Sequence, residues 1–375
     1  MSAEDLLDEI RAESLQQFLN DLRHDAFPLG GTHIPPLDEY MACPSSKPLS
    51  RGDIIEIQGP SGSGKTHIVY QLLQTCILPP HSPFGGWGKT AVIFDTDGTF
   101  NMPRFQTLLE ANILSRTTAL RQGTLSPRTL KRVFRDALSR VHISRPTSGI
   151  QLAASILHLE QYLTADSRCK KSETALVVID SISTFYWADR FTIEQYRYVR
   201  KEERVDVHSP FQHVITAMQR LKATFSPVIV LTNWALHISR HPSSEDDYSD
   251  PPLYRQHLHP YLRFKTPEDF LDEETQPSNP VPTFITDISQ EHTEEHTSPV
   301  THERPSLFVD YHITLWSAPD ATNAHSPMEP LEYVGVQRQL GAGGRTIHAA
   351  VRTSGRRESL ELRMYIGEHD ISWAI

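Results

Sequence analysis

The segment Gly59-Pro60-Ser61-Gly62-Ser63-Gly64-Lys65-Thr66 constrains this chain more than any other. It is an unbroken GxxxxGK[ST] loop, preceded by the short apolar run DIIEIQG and followed by HIVYQLLQTCIL, apolar on most sides. Strand, loop and helix in that order predict a buried sheet with a helix packed on it and a phosphate-binding loop between them. Glycines let the backbone N–H groups wrap a phosphate, Lys65 is placed to reach the β and γ phosphates, and the Thr66 hydroxyl to ligate Mg²⁺. The expected ligand is a nucleoside triphosphate held by Gly59, Pro60, Ser61, Gly62, Ser63, Gly64, Lys65 and Thr66.

The alternation that starts there continues. TAVIFDTD over 90–97 reads as a second buried strand, followed by a helix over 104–114 with Phe105, Leu108, Leu109 and Ile113 inward. A helix over 131–139, strand VHISR, a helix over 150–163, strand ALVVIDS, a helix over 211–225 and strand VIVLTNW complete a β/α series. The fold class is therefore α/β, a mostly parallel sheet covered on both faces. Short strands HITLW, YVGVQRQ, IHAAVRT and ELRMYI, with GAGGR as a hairpin turn, add antiparallel C-terminal strands.

Outside this series the composition changes. Residues 1–50 read as an N-terminal helix reaching Leu22 and an extended surface linker, because FPLGGTHIPPLDEYMACPSSKPLSRGD is dense in Pro and Gly. The core spans 51–265, an acidic disordered insertion 266–308, and strands completing the core sheet 309–375. The sequence contains 27 Pro against 18 Gly, consistent with ordered elements joined by stiff loops. No apolar run is long enough to span a membrane, and the acidic start MSAEDLLDEI is not that of a secretory signal. Three cysteines without a CxxC pair suggest neither a disulfide framework nor structural zinc, and Cys76 reads as a small core residue. A net charge of -10 argues against a whole-surface grip on nucleic acid, so any DNA contact is local or shared.

A phosphate loop needs a second carboxylate to hold the metal, at the end of a neighbouring apolar strand. Asp180, ending ALVVIDS, meets that requirement, although an Asp in this place also caps helices. Two strands lie between Lys65 and Asp180, more than small-molecule kinases of this type usually insert. Asp95 and Asp97 end one of those strands at the carboxyl edge of the sheet. Asp97 is the candidate water activator, while Asp97-Gly98 is equally a strong turn former.

The order GPSGSGKT, FDTDGTF, VVIDSISTFYWADR and VIVLTNW resembles the core of the RecA-type recombinases of eukaryotic homologous recombination, and more closely their non-filament paralogues. The resemblance covers about residues 52–262. It implies a RecA-like core that binds ATP and Mg²⁺ in a hetero-oligomer of recombinase paralogues. It further implies nuclear localisation, repair of DNA double-strand breaks, and contact with single-stranded or branched DNA through the complex. The alternative is a DNA-stimulated ATPase with strand-exchange activity of its own.

Three departures bear on that choice. The active recombinases carry a glutamate where this chain has Asp97, and the shorter side chain retracts the carboxylate by about one C–C bond from a water needed at roughly 3 Å. They follow the Thr-Asn pair with a glutamine that reads the γ-phosphate, where this chain has Thr232-Asn233-Trp234. They also carry a separate helical domain of which no counterpart is visible in this sequence, so the subunit is expected to end an assembly. Weak or absent hydrolysis follows, and the N-terminal helix with the linker through Pro36 becomes a candidate docking element.

The resemblance places DNA-contacting segments after the ALVVIDS and VIVLTNW strands. The first carries Arg190, Arg197, Arg200, Lys201 and Arg204 with Tyr196 and Tyr198, a composition able to pair phosphates and stack bases. Glu194, Glu202 and Glu203 make a solvated helix face the competing expectation. The second contains SSEDDYSD and repels a phosphate backbone. Of the 19 histidines, His237, His241, His257 and His259 lie close in sequence, lack a fixed metal-ligand spacing and are expected at the surface.

Overall fold

Strands buried on both faces need helices above and below them, and four strands here meet that description. The computed structural model describes residues 29–43, 48–119, 126–165, 173–199, 209–236, 238–239, 253–254, 257–259, 261–264, 305–317, 345–354, 356 and 359–375. Its first elements are α1 (Pro35–Ala42), β1 (Ile54–Gly59), α2 (Lys65–Ile77), β2 (Thr90–Asp95), α3 (Met102–Ala119), α4 (Pro127–Leu138) and β3 (Val141–Ser144). There follow α5 (Gly149–Leu157), α6 (Leu159–Ala165), β4 (Thr174–Asp180), α7 (Tyr186–Val199), α8 (Pro210–Phe225) and β5 (Val228–Trp234). The short strands β6 (Ile238–Ser239), β7 (Leu253–Tyr254), β8 (Leu262–Phe264) and β9 (Leu307–Val309) lead to β10 (Tyr311–Ser317), β11 (Arg345–Thr353), β12 (Leu360–Ile366) and β13 (Ile371–Ala374).

Among the described residues, nine strands form one sheet in the order β13-β12-β11-β10-β1-β5-β4-β2-β3. Pairing is parallel from β10 through β1, β5, β4 and β2 to β3, and antiparallel from β10 out to β13. This is the expected α/β class, a mostly parallel sheet with antiparallel C-terminal strands. Alternate residues of the central strands feed two separate cores. Ile55, Ile57, Ile93, Val178 and Val230 pack with α1, α2 and α3, whereas Ile54, Val92, Val177, Ile229 and Leu231 pack with α5, α6 and α8. The two-residue side-chain period delivers one apolar set to each face.

The stretch expected to run as an extended linker contains α1. Pro35 and Pro36 occupy its first positions, where no backbone N–H is needed and φ is already set for a helix. Leu37, Tyr40 and Met41 then share one buried face against β12 and β13. The Asp38 carboxylate folds the approach by accepting from the Thr32 and His33 backbone N–H groups at 2.6 and 3.0 Å. Ile34 and Pro36 are buried in the chain's own core, so this part of the candidate docking element is occupied internally. The expected single helix over 150–163 is two, α5 and α6, broken at His158. The boundary expected at 308 falls inside β9, which pairs in parallel with β8. The helix reaching Leu22, the strand YVGVQRQ, the glycines of GAGGR and the acidic segment through Arg304 lie outside the described residues.

One polar contact between helices carries a pH prediction. The Asp189 carboxylate, in the first turn of α7, packs where a Cβ on Gly149 would stand 2.4 Å from its Oδ2. That oxygen is buried with no hydrogen-bond partner among the described residues, and burial pushes the pKa up to about 6. A carboxyl whose folded pKa lies above its unfolded value of about 3.9 stabilises the fold fully below that value and loses the contribution as pH rises through about 6. Asp189→Asn is therefore expected to stabilise the protein by about 1 kcal/mol at pH 7, after discounting for the half-exposed side chain, and by little at pH 4.5. Urea melts of both proteins at the two pH values read the difference directly.

Candidate functional site

The phosphate loop joins β1 to α2 and is shaped by its glycines. Gly62 and Gly64 have φ of 72° and 86°, in the left-handed region that a side chain disfavours, and Gly64 is the residue from which α2 starts. A Cβ on Gly64 would lie 2.5 Å from Met364 Cε of β12, and one on Gly59 would lie 2.4 Å from Ser63 Oγ. The loop is thus packed from inside by Ser63 and from outside by the C-terminal strands. Ser63 Oγ is buried with no hydrogen-bond partner among the described residues. Ser61 and Gly62 face solvent.

Lys65 Nζ donates to the Gly59 and Pro60 carbonyls, both at 2.8 Å, and so curls over the loop. Burial lowers its pKa, and Asp180 and Asp97 oppose that shift. Thr66 Oγ1 donates to Asp180 Oδ2 at 3.1 Å, and Thr232 Oγ1 donates to Asp180 Oδ1 at 2.5 Å. Burial raises the Asp180 pKa, and the two threonine hydroxyls act against it. The expected pair of Thr66 and Asp180 is therefore in contact, at the ends of α2 and β4. An ammonium, a glycine-framed backbone, a hydroxyl and a carboxylate on one strand edge suit a nucleotide polyphosphate with a hard divalent cation. His67, the next residue of α2, is pushed down to about 4 by burial and by Arg104, so it is neutral at pH 7.

The two carboxylates of the β2 end differ. Asp95 is fully buried and accepts from Arg145 Nε at 2.9 Å and from the Phe100 backbone N–H at 3.3 Å. It pins the chain after β3 and does not stand free beside a phosphate, as its place at the strand end suggested. Asp97 is exposed, and its Oδ1 accepts from the Thr99 backbone N–H at 3.0 Å and from Thr99 Oγ1 at 2.6 Å. Gly98 follows at φ 71°, so the turn geometry of Asp-Gly is realised. Asp97 still acts electrostatically on both Lys65 and Asp180.

A second polar cluster, missed in the sequence, lies behind the site. Glu56 of β1 is buried and accepts from Asn233 Nδ2 at 2.6 Å. Ser183 Oγ donates to Asn233 Oδ1 at 2.5 Å and accepts from the Trp234 backbone N–H at 2.9 Å. His312 is paired with Glu56 in register, and burial lowers its pKa. His257, expected at the surface, has both ring nitrogens buried without a hydrogen-bond partner among the described residues and meets the Tyr186 ring edge-on at 5.1 Å. Cys76 is fully buried, as expected of a core residue.

On α7, Arg190 Nε donates to Glu194 at 2.9 Å and its guanidinium lies 5.7 Å from the Trp187 ring centre, so its charge is balanced on its own helix. Tyr196 is exposed. Arg200, Lys201, Arg204, His237 and His241 lie outside the described residues.

No protein-family model matches the chain. It is 30% identical over 180 residues to the DNA repair protein XRCC2 of Mus musculus, covering 48% of this chain and 55% of that protein. It is 24% identical over 260 residues to the DNA repair protein XRCC2 homolog of Arabidopsis thaliana, covering 64% and 66%. The sequence is thus similar to XRCC2 proteins and, beyond them, to RadA recombination proteins. The archaeal DNA repair and recombination protein RadA of Methanocorpusculum labreanum is 29% identical over 158 residues, 41% of this chain and 43% of that protein. The chain thus spans little more than half of the mouse relative and just under two thirds of the plant one. The sheet order and these relatives together give a RecA-like core. No helix among the described residues is long and apolar enough to cross a membrane.

Proposed function

We propose that this chain is an ATP- and Mg²⁺-binding subunit of a recombinase-paralogue complex that supports repair of DNA double-strand breaks by homologous recombination in the nucleus. The observation that carries the reading is the Thr66–Asp180 contact at the foot of the Lys65 loop, in a chain whose sequence is similar to RadA recombination proteins. Gly59 to Thr66 would wrap the phosphates, with Lys65 as the counter-charge, and Thr66 and Asp180 would hold the metal directly or through water. The relatives' names, DNA repair and recombination proteins, supply the process. Binding is favoured over turnover because the Asp97 carboxylate is committed to the Thr99 turn and Trp234 has no amide to sense a γ-phosphate. Single-stranded or branched DNA would be reached through partner subunits, since Arg190 is paired with Glu194 on its own helix.

Affinity purification of the tagged protein from its own cells, beside Lys65→Ala, tests the reading. Stoichiometric recovery of another RecA-type paralogue is expected. Recovery with both versions makes the nucleotide site secondary to assembly, recovery with the intact loop alone makes ATP a gate, and recovery of no paralogue rejects the complex. A companion truncation should stop at residue 28, because removing residues through Pro36 would cut Ile34 out of the core.

A further inference from the structure

The C-terminal strands reach the phosphate loop with one charged side chain. Arg345 opens β11, and its Nη1 lies 3.4 Å from where a Cβ on Gly62 would stand. Its Nη2 donates to Ser317 Oγ, at the end of β10, at 2.9 Å. Arg345 pairs in register with Ile366, and Ile366 and Ile347 pack with Met364 over Gly64. The guanidinium is thereby anchored by a rigid sheet while lying against the exposed part of the loop.

We propose that Arg345 is a second cation for the phosphates of the bound nucleotide, supplied by the C-terminal sheet of the same chain. The inference rests on the nucleotide reading given above. The guanidinium lies within contact distance of the Gly62 position, and a planar fork held at one edge by Ser317 keeps its other N–H groups for phosphate oxygens. Lys65 is bonded to two loop carbonyls on the inner side, whereas Arg345 covers the outer side next to Gly62.

The test compares wild type, Lys65→Ala and Arg345→Ala for binding of fluorescent ATP and ADP, and for displacement by inorganic tripolyphosphate, which carries no base. Arg345→Ala is expected to weaken both nucleotides and tripolyphosphate about tenfold, with melting temperature close to wild type. Unchanged binding in Arg345→Ala beside weakened Lys65→Ala overturns the assignment and leaves the nucleotide site standing. Weaker nucleotide with unchanged tripolyphosphate binding also overturns it, since the contact would then be to the base or ribose. A wild type that binds no nucleotide removes the underlying reading and this inference with it.

Discussion

Lys65→Ala is expected to lower ATP affinity about 100-fold, equivalent to about 2.8 kcal/mol, with a stability cost of only about 1 kcal/mol. The separation follows from what the ammonium touches. Its two bonds go to Gly59 and Pro60 carbonyls on a loop whose rim, at Ser61 and Gly62, is open to water. Alanine leaves those carbonyls accessible to solvent, so the fold loses little. The phosphates lose a partly desolvated positive charge whose field is not replaced by Arg345 on the other side. Isothermal titration with and without Mg²⁺ measures the first quantity, and a urea melt the second. A loss below threefold would mean that the ammonium is committed to the loop itself. Turnover with single-stranded DNA is expected to be the same for wild type and Lys65→Ala. A clear wild-type excess would instead favour an ATPase with its own strand-exchange activity.

The parts of the fold legible in the sequence are those in which local pattern and burial agree. The β1-loop-α2 unit, the buried β2, β4 and β5, and the Thr66–Asp180 pairing follow from a motif placed between an apolar strand and an apolar helix. The α1 helix was hidden because proline density argued for extended chain, although proline is at home in the first helical turn. Leu37, Tyr40 and Met41 carried the helical spacing, but a window of eight residues is short for periodicity to outweigh composition. The Asp95 pairing with Arg145 depends on two strands being neighbours, and sequence order alone does not fix sheet order. The same applies to Arg345, which meets Gly62 only because β10 and β11 fold back beside β1. The sequence pattern at Asp97 fits a water activator and a turn former equally, and its bonds to Thr99 realise the turn.

Glu56 was invisible for another reason: one carboxylate in an apolar strand carries no pattern, yet it anchors the chain on both sides of the site. Through Asn233 it reaches Ser183, three residues beyond Asp180, and Ser183 in turn takes the Trp234 N–H. Glu56→Ala leaves the buried Asn233 amide without its acceptor in a place that water does not reach. Removing one partner from such a network is expected to cost about 3 kcal/mol, a fall in melting temperature of roughly 5 °C. Glu56→Gln keeps an acceptor of the same shape for Asn233, and is expected to cost about 1 kcal/mol or less. The neighbouring His312 is held towards its neutral form by burial, so the pair does not depend on a full ion-pair partner at pH 7. Urea denaturation of the three proteins distinguishes the cases, and amide exchange at Trp234 shows whether the β4 to α7 connection loosens as the acceptor is lost. If Glu56→Ala stayed within 1 kcal/mol of wild type, the cluster would be a passenger of the sheet; the expected gap between Ala and Gln makes hydrogen bonding, rather than charge, the force that ties β1 to the chain leaving Asp180.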